Sequence, residues 1–448
     1  MTVCIAGLRN CFEGAIPSAL ATCSQDGTPN IAYLSQVQYV DHRHVALTFQ
    51  FFNKTRQNIL SNPYALLKVV DPISGSGYRL HVRYLRTETH GPLFESMKAK
   101  LAGIASHTGM ADIFKLLGAD IYEVLEVDTA VVAKQIPALS SGDQLPKLRL
   151  MSNMLNASKD LNELLDNTLS ALNLACSIQH IMILKLDECG ERLFTVASRG
   201  YDNPGVGSEI PMGHGVIGVA ARERTPIRIS HMTSEYIYGK AVRASAEASG
   251  LHHQLETAIP MPGLPESRSQ LAVPIVAGTQ LYGVLYVESP EDLRFTYDDE
   301  DMLSTLAQQF GWMAKALTCA DASETIEADT PLIQTKEQAA GRVVSVRYFS
   351  ADHSVFLDDD YLIKGVAGAI FWKLVQTAEQ EGRLHFTNRE LRLSPELGLP
   401  DISDNLEARL VLLQRRLAER QACVQMTKTG RGRFAISIAH PLKLTQVD

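Results

Sequence analysis

Residues 210–229 read Ile-Pro-Met-Gly-His-Gly-Val-Ile-Gly-Val-Ala-Ala-Arg-Glu-Arg-Thr-Pro-Ile-Arg-Ile. A glycine-rich turn here meets an apolar run, which predicts a helix over Val216–Arg222. Gly215 and Gly218 have no side chain, so the helix and its surroundings can pack closely together. A strand is predicted after Pro226. This succession of turn, helix and strand is the most specific fold signal in the chain.

The flanking residues predict the rest of one mixed α and β unit. Residues 267–289 predict two antiparallel strands joined by a turn at Ala277-Gly-Thr-Gln. Residues 297–317 predict a closing helix with an acidic first turn. Upstream, apolar residues between Leu148 and Leu174 recur mostly at threes and fours, which is typical of a helix. This helix either packs on a core or dimerises as a signalling helix, since no sustained heptad is present.

Taken together, residues 150–318 resemble the GAF family of sensory domains. The resemblance implies an α/β sandwich that holds a ligand between a central antiparallel sheet and overlying helices. The ligand-covering segment would run from Ser230 to Gly263. It offers Tyr236, Tyr238, His252, His253 and Glu256, of which the two tyrosines and Glu256 are the predicted ligand contacts. The alternative is a ligand-free domain that serves as a dimerisation strut.

Composition restricts the class of protein. A chain of 448 residues exceeds one typical core, and its 45% apolar and 21% charged residues are those of a globular protein. The net charge of -8 argues against a chain that coats nucleic acid everywhere. The seven scattered cysteines include no Cys-x-x-Cys pair, which predicts neither a disulfide framework nor a zinc site. Without a signal-peptide pattern or a long apolar run, we expect a cytoplasmic protein that does not bind membranes.

The N-terminal part alternates short strands and turn signals from Ile16 to Asp128, which predicts a small β-barrel. Within it, residues 49–63 read Phe-Gln-Phe-Phe-Asn-Lys-Thr-Arg-Gln-Asn-Ile-Leu-Ser-Asn-Pro. Helix amides, a hydroxyl and two cations converge at this turn, which suits a phosphate. A solvated basic turn is the alternative.

Residues 8–130 resemble the pyridoxamine-phosphate-oxidase-like split barrels in strand order and in this turn. The resemblance implies that the turn holds the phosphate of FMN, usually across a homodimer interface. Some relatives bind haem or a deazaflavin instead, in which case His81, His90 and His107 would matter. The Trp and Arg substrate signature of the family's oxidases is missing, which argues against oxidase activity. By position, the phosphate would be contacted by Lys54, Thr55, Arg56 and Asn58. The flavin ring would be contacted by Ser35 and Gln50.

The C-terminal part contains an arginine-rich amphipathic helix over residues 403–420. Its leucines form one buried stripe, and arginines lie on neighbouring faces. Two strands follow, over residues 422–427 and 433–438, joined by a basic turn with two glycines. A basic helix and a basic β-wing are typical of duplex DNA binding, whereas an isolated helix of this kind often only faces solvent.

A strand pair, a longer helix and a short helix come first, so residues 343–440 resemble the winged-helix output domain of OmpR-type response regulators. No receiver domain is recognised before it, and Asp358-Asp-Asp would repel DNA. A winged helix used only for protein contacts is therefore the alternative. The recognition-helix and wing residues implied by the resemblance are Asn405, Arg409, Arg415, Arg416, Arg420, Lys428, Arg431 and Arg433.

The sequence thus predicts a multidomain α+β protein: an N-terminal split barrel (1–135), a linker helix with a GAF α/β sandwich (136–320), a linker (321–342) and a C-terminal winged helix-turn-helix (343–448). We expect a homodimeric, ligand- or redox-responsive transcriptional regulator that binds DNA and a small-molecule signal. The alternatives are a flavin-dependent oxidoreductase with regulatory domains and a ligand-free dimeric scaffold. No catalytic residue or metal ligand is predicted.

Overall fold

The computed structural model has a multidomain α+β architecture. It describes residues 4–12, 16–34, 36–50, 53–107, 116–131, 144–230, 259–323, 342–394, 397, 406–430 and 432–447. We call residues 4–131 the N-terminal unit, residues 144–323 the central unit and residues 342–447 the C-terminal unit. No helix in these described ranges combines the length and apolar content that crossing a membrane requires.

The N-terminal unit is built on one curled, half-barrel sheet. Its strand order is β2-β1-β5-β6-β7-β4-β3, and all pairs are antiparallel. After a 3₁₀ helix (Ala6–Phe12), its elements are β1 (Ser18–Cys23), β2 (Pro29–Leu34), β3 (Val37–Tyr39), β4 (His44–Phe49), α1 (Lys54–Ser61), β5 (Tyr64–Val70), β6 (Gly77–Glu88), α2 (Pro92–His107) and β7 (Gly118–Val131).

Side-chain alternation explains this sheet. Leu20, Leu67 and Leu80 lie directly opposite one another on β1, β5 and β6, and all three are fully buried. Alternate residues of a strand point to opposite faces, so each of these strands buries one face and exposes the other. The strands were predicted from this pattern, whereas the 16-residue helix α2 was not.

The central unit contains a six-stranded antiparallel sheet of order β10-β9-β8-β13-β12-β11. Its elements are α3 (Gln144–Asn156), α4 (Leu161–Cys176), β8 (His180–Leu186), β9 (Arg192–Arg199), β10 (Glu209–Pro211), α5 (Gly215–Glu223), β11 (Ile227–Ile229), β12 (Ser269–Ala277), β13 (Gln280–Ser289) and α6 (Tyr297–Ser323). The helix, strand pair and closing helix predicted here are confirmed.

The single helical run expected between Leu148 and Leu174 is two helices, α3 and α4. The chain leaves α3 after Asn156, and Asp160 begins α4 by accepting a hydrogen bond from the Glu163 amide at 2.9 Å. Glu163 in turn accepts one from the Lys159 amide at 2.9 Å. The Asp160 bond satisfies an amide that the first turn of a helix leaves free, and the Glu163 bond holds the preceding residue against that turn, so a new helix begins here.

The C-terminal unit has two small sheets, β16-β15-β14-β20 and β17-β19-β18, and β20 is parallel to β14. Its elements are β14 (Val344–Phe349), β15 (Ser354–Leu357), β16 (Asp360–Ile363), α7 (Gly365–Glu381), β17 (His385–Thr387), α8 (Asn388–Leu393), α9 (Leu406–Glu419), β18 (Val424–Gly430), β19 (Arg433–Ile438) and β20 (Leu442–Val447). The predicted elements are present in the predicted order, but the leading strand pair is three strands, and β17 and β20 are additional.

The central sheet is covered on both faces. Helices α3, α4 and α6 cover the face that contains Ile181 and Ile183, and Ala408 and Val411 of α9 join the same apolar cluster. Helix α5 covers the opposite face, and Ala99 of α2 joins that cluster. Each flanking unit therefore contributes one helix to the packing of the central unit.

A substitution at Gly218, in helix α5, tests the predicted close packing. A Cβ atom at this position would lie 2.4 Å from the carbonyl oxygen of Pro211. We expect Gly218→Ala to lower the free energy of unfolding by about 1–3 kcal/mol, despite the better helix propensity of alanine. Gly263→Ala is the control, because the nearest atom to its Cβ would be 4.0 Å away. Equal melting temperatures for the two variants in calorimetry would contradict this packing.

Candidate functional site

The turn predicted to bind a phosphate forms the first turn of α1. Asn53 caps this helix by accepting a hydrogen bond from the Arg56 amide at 3.1 Å. Asn30 donates to the Thr55 hydroxyl at 2.9 Å. Asn58 is buried and donates to the hydroxyl of Thr22 at 3.1 Å. Thr55 and Asn58 therefore both have partners within the unit.

Arg56 lies in an internal ion pair. Its Nη1 is 2.6 Å from Oδ1 of Asp120, and its Nη2 donates to the Thr87 hydroxyl at 2.9 Å. The guanidinium also stacks 4.3 Å from the ring centre of Phe49. Burial raises the pKa of Asp120, although the bonds from Thr87 and Arg56 oppose this. The local fold uses Arg56 to neutralise a buried carboxylate.

The described residues therefore fit a flavin phosphate poorly. Lys54 is exposed, but Thr55, Arg56 and Asn58 are committed to internal contacts. Gln50 lies partly buried just after β4. Ser35 lies outside the described residues. The described side chains therefore do not form the phosphate site that the resemblance implied.

Two of the three histidines considered for haem, His81 and His90, lie at the surface. His81 is 3.2 Å from a carboxylate oxygen of Asp128, and His90 is exposed. The side chain of His107 lies outside the described part. Among the described residues, no group of three or more His, Cys, Asp or Glu side chains is arranged to hold a metal ion.

Polar groups surround Glu288, which lies on strand β13 of the central sheet. This carboxylate is only 3% exposed and accepts hydrogen bonds from the Leu264 amide at 3.0 Å and the Tyr286 hydroxyl at 3.3 Å. Gln270 lies opposite it on β12. Burial raises the pKa of Tyr201, and Glu288 adds to the effect. The ligand contacts predicted in this unit lie outside the described residues: Tyr236, Tyr238 and Glu256.

A buried ionic cluster joins the N-terminal and central units. Glu300 of α6 accepts a hydrogen bond from Nε of Arg228 at 2.9 Å and lies 3.9 Å from Nζ of Lys100 on α2. The Arg228 guanidinium stacks 4.2 Å from the ring centre of Tyr297. Desolvation opposes ionisation of Glu300, but Lys100 and Arg228 outweigh it and lower the pKa of this carboxyl. The charged cluster therefore holds α2 against the central unit.

In the C-terminal unit, the structure places Arg416, predicted to contact DNA, in the interior. Its side chain is buried, with Nε donating to the Leu362 carbonyl at 2.9 Å and Nη1 to Glu419 at 3.1 Å. In this arrangement the guanidinium is occupied by a backbone carbonyl and a carboxylate of the interior. Arg416 instead connects α9 to the sheet that contains β16.

Two other arginines of α9 face the central unit. Arg409 forms an ion pair with Glu188, in the turn between β8 and β9. Arg415 donates to Asp166 on α4 at 2.7 Å and to the side chain of Asn162 at 2.8 Å. The structure thus places both predicted DNA contacts against carboxylates of the same chain.

Two further contacts extend this interface. Lys428 of β18 donates to Asp160 at 2.8 Å. Glu419 at the end of α9 accepts hydrogen bonds from the amides of Gly205 and Val206 at 3.0 and 3.2 Å. The remaining predicted DNA contacts are placed differently: Arg420 pairs with Asp360 at 3.3 Å, Arg433 is exposed, and Asn405 and Arg431 lie outside the described residues.

A cavity lies between the central unit and the C-terminal unit. Phe194 and the buried Lys185 line it from the central sheet, and Tyr361 lines it from the C-terminal unit. Lys364 on the C-terminal side forms an ion pair of 3.2 Å with Glu209 on the central side. The cavity wall is thus shared between the two units and closed at one edge by a charge pair.

Comparison with known proteins identifies the central fold. Residues 160–313 match the family model of the GAF domain, so the central unit contains a GAF domain. No curated protein matches the chain. Similar solved structures include the GAF domain of a phosphoenolpyruvate-protein phosphotransferase from Acinetobacter, with 24% identity and a TM-score of 0.32. That alignment covers 42% of this chain and 99% of the other.

Two other similar structures have the FMN-binding split-barrel type of fold. An FMN-binding protein from Syntrophomonas wolfei subsp. wolfei has 16% identity and a TM-score of 0.24, over 28% of this chain and 85% of the other. HupZ from Group A Streptococcus has 20% identity and a TM-score of 0.24, over 29% of this chain and 98% of the other.

The contacts between units were missed from the sequence. Lys100, Glu300 and Glu419 each lie on an ordinary amphipathic helix, and nothing in their local pattern marks a partner. Their partners are distant in sequence, as shown by Glu419 and Gly205, which are 214 positions apart. The one available signal was Arg228, a charged residue in the short apolar strand β11, since a charge among buried residues requires a partner.

The Glu300 cluster predicts a pH-dependent loss of stability. Glu300→Gln leaves Arg228 and Lys100 without their carboxylate, and we expect a loss of about 3–5 kcal/mol at neutral pH. A carboxyl whose pKa is lowered by folding stabilises the fold above its unfolded pKa and loses that effect as the pH falls through the folded value. The difference from wild type should therefore be largest above pH 4.5, the ordinary pKa of Glu, and should shrink below it.

Calorimetry over a pH series measures this difference. Glu266→Gln is the matched control, because Glu266 is exposed. A difference between wild type and Glu300→Gln that stays constant as the pH falls below 4.5 would show that the charge of Glu300 does not stabilise the contact.

Proposed function

We propose that this protein is a ligand-responsive regulator in which the GAF domain senses a small molecule and the C-terminal unit transmits the response to DNA. The observation that carries the proposal is the position of the GAF domain between two partners. Helix α2 packs on one face of its sheet, and helix α9 joins the cluster on the other face. A change in the GAF domain therefore reaches both units directly.

The physical mechanism is a population shift. A ligand that binds one arrangement of the GAF domain more tightly than another increases the population of that arrangement. Helix α4 and the β8–β9 turn contain Asp166 and Glu188, which contact α9. A movement of either element would change the position of the C-terminal unit without any chemical step.

DNA is the proposed partner of the C-terminal unit, in the manner of an OmpR-type winged helix. Support comes from the order of the elements, in which α8 and α9 precede the strand pair β18 and β19. Arg433 in the second of these strands is exposed, and Arg409, Arg415 and Lys428 pair with carboxylates of the central unit. Basic side chains on one helix and one strand pair suit a phosphate backbone.

The N-terminal unit is proposed as a second sensing unit. Flavin is the ligand predicted from sequence, with haem or a deazaflavin as alternatives. The internal bonds of Arg56 and Asn58 weigh against a flavin phosphate at α1. No turnover is proposed for this unit. The absorbance spectrum of the purified protein distinguishes these ligands, because flavins and haem absorb in different visible bands.

Edge strand β2 supports a homodimer. Ile31 and Tyr33 on this strand are 73% and 82% exposed, and Tyr64 on β5 is 57% exposed. Large apolar side chains exposed on a sheet edge, as on β2, mark an association surface, and Tyr64 lies two strands away from it.

We expect the wild-type protein to be a dimer in light scattering coupled to gel filtration. The double variant Ile31→Asp/Tyr33→Asp should have half that mass, because it places two charges on the apolar edge. The control is Leu174→Asp, which changes an exposed leucine on helix α4 of the central unit. An unchanged mass for the double variant would contradict this interface.

Salt-dependent binding tests the DNA proposal. We expect the full-length chain to bind duplex DNA with an affinity that falls as salt rises. Arg433→Ala should weaken binding and reduce the slope of log affinity against log salt by about 1, the value for one lost phosphate contact. Arg268→Ala, on the central unit, is the control. Fluorescence anisotropy measures both. The absence of DNA binding at every salt concentration, or equal effects of the two substitutions, would contradict the proposal.

A further inference from the structure

Helix α9 is covered on two sides. Leu406, Leu410, Leu413 and Leu417 face the core of the C-terminal unit. Ala408, Val411 and Arg415, spaced by three and four residues, form the stripe that meets the central unit. The surface of α9 that points away from its own unit is therefore occupied by the GAF domain.

The contact is made by charges that DNA would also attract. Arg409 pairs with Glu188, and Arg415 pairs with Asp166. The two arginine side chains are 15% and 17% exposed in this arrangement. Carboxylates and phosphates satisfy a guanidinium with the same geometry. Glu188 and Asp166 thus stand where phosphates of a duplex would have to lie.

Two further contacts, one on β18 and one at the end of α9, help to fix the position of α9. Lys428 bonds to Asp160, and the burial of Asp160 is outweighed by this and other hydrogen bonds, which lower the pKa of its carboxyl. At the other end of α9, Glu419 takes the amides of Gly205 and Val206. In this last contact the carboxylate belongs to the C-terminal unit and the donors belong to the central unit, which is the reverse of the ion pairs. The docked position is therefore specific and not a general attraction between basic and acidic surfaces.

The composition of the interface suits a reversible contact. Its apolar part includes two small side chains of α9, Ala408 and Val411, together with Val206 of the central unit, which packs in the core of the C-terminal unit. Asp166 is 56% exposed and Glu188 is 37% exposed. Ion pairs at such exposure contribute little each and are screened by salt. Interfaces between domains of one chain are commonly of this polar, mobile type.

We propose that the acidic surface of the GAF domain, formed by Asp160, Asp166 and Glu188, competes with DNA for α9 and β18, so that DNA binds only the undocked fraction of the protein and docking weakens the apparent affinity. The inference rests on the proposed DNA-binding function and adds its regulation. The two states are mutually exclusive because the same arginines serve both partners. A GAF ligand that moves α4 or the β8–β9 turn then releases the surface.

Charge reversal on the GAF side tests the competition in the full-length chain. Asp166→Lys/Glu188→Lys turns two attractions into repulsions and leaves every residue of the C-terminal unit unchanged. The control is Glu266→Lys/Glu291→Lys, which makes the same change in net charge on the same unit. Both control residues are exposed, and their carboxylates make no contact in the part of the chain that the structure describes. The control removes the general effect of a less acidic protein on DNA binding.

Two readouts separate docking from DNA binding. Hydrogen exchange of the Gly205 and Val206 amides reports docking, because both amides donate to Glu419 in the docked state. Fluorescence anisotropy with a short duplex of random sequence reports DNA binding. We expect faster exchange at these amides in Asp166→Lys/Glu188→Lys and about tenfold tighter DNA binding than in the control variant, within the usual range of coupling between sites.

Three results would overturn the proposal, each in a different way. Unchanged exchange at Gly205 and Val206 would show that the acidic surface does not hold α9. Faster exchange with DNA affinity equal to that of the control would show that docking does not compete, while the DNA-binding function stands. Faster exchange with no DNA binding in any of the proteins would remove the DNA-binding function itself.

Discussion

The arrangement of this protein depends on one constraint: the six-stranded sheet of the central unit has two apolar faces, and both must be kept from water. Side chains along β8 alternate between the two faces, with Ile181 on one and Met182 on the other. The unit's own helices cover most of each face, and the flanking units complete both clusters through α2 and α9. Because burial of apolar surface is the main source of stability, this sheet positions all three units.

Charged contacts then determine how firmly each flanking unit is attached. Lys100 and Arg228 are buried beside Glu300, whose side chain is 14% exposed, so salt screens the contact with the N-terminal unit less. Asp166 and Glu188 remain partly exposed, so the contact with the C-terminal unit is weaker and sensitive to salt. Under the proposed regulation, the N-terminal unit stays attached to the GAF domain and the C-terminal unit is the part that is released.

Local pattern predicted the elements well, whereas contacts between distant residues were beyond it. Gly218 marked a close approach, and the structure has the Pro211 carbonyl there. A helical wheel cannot tell which arginine of α9 points inward, because that depends on the Leu362 carbonyl that receives Arg416. Likewise, Lys54-Thr-Arg suits an anion when considered alone, but the strand that supplies Asp120 is 64 residues away. The predicted GAF ligand contacts lie outside the described residues and stay predictions.

The central claim is that α9 is docked on the GAF domain by salt-sensitive contacts. Spin labels at Leu174 on α4 and Leu393 on α8, both exposed, measure the distance between the two units in a chain whose exposed Cys4 and Cys189 are replaced by serine. The account predicts one narrow distance distribution at low salt, which broadens toward longer distances as salt rises. A broad distribution at low salt, or a narrow one that salt does not change, would contradict it.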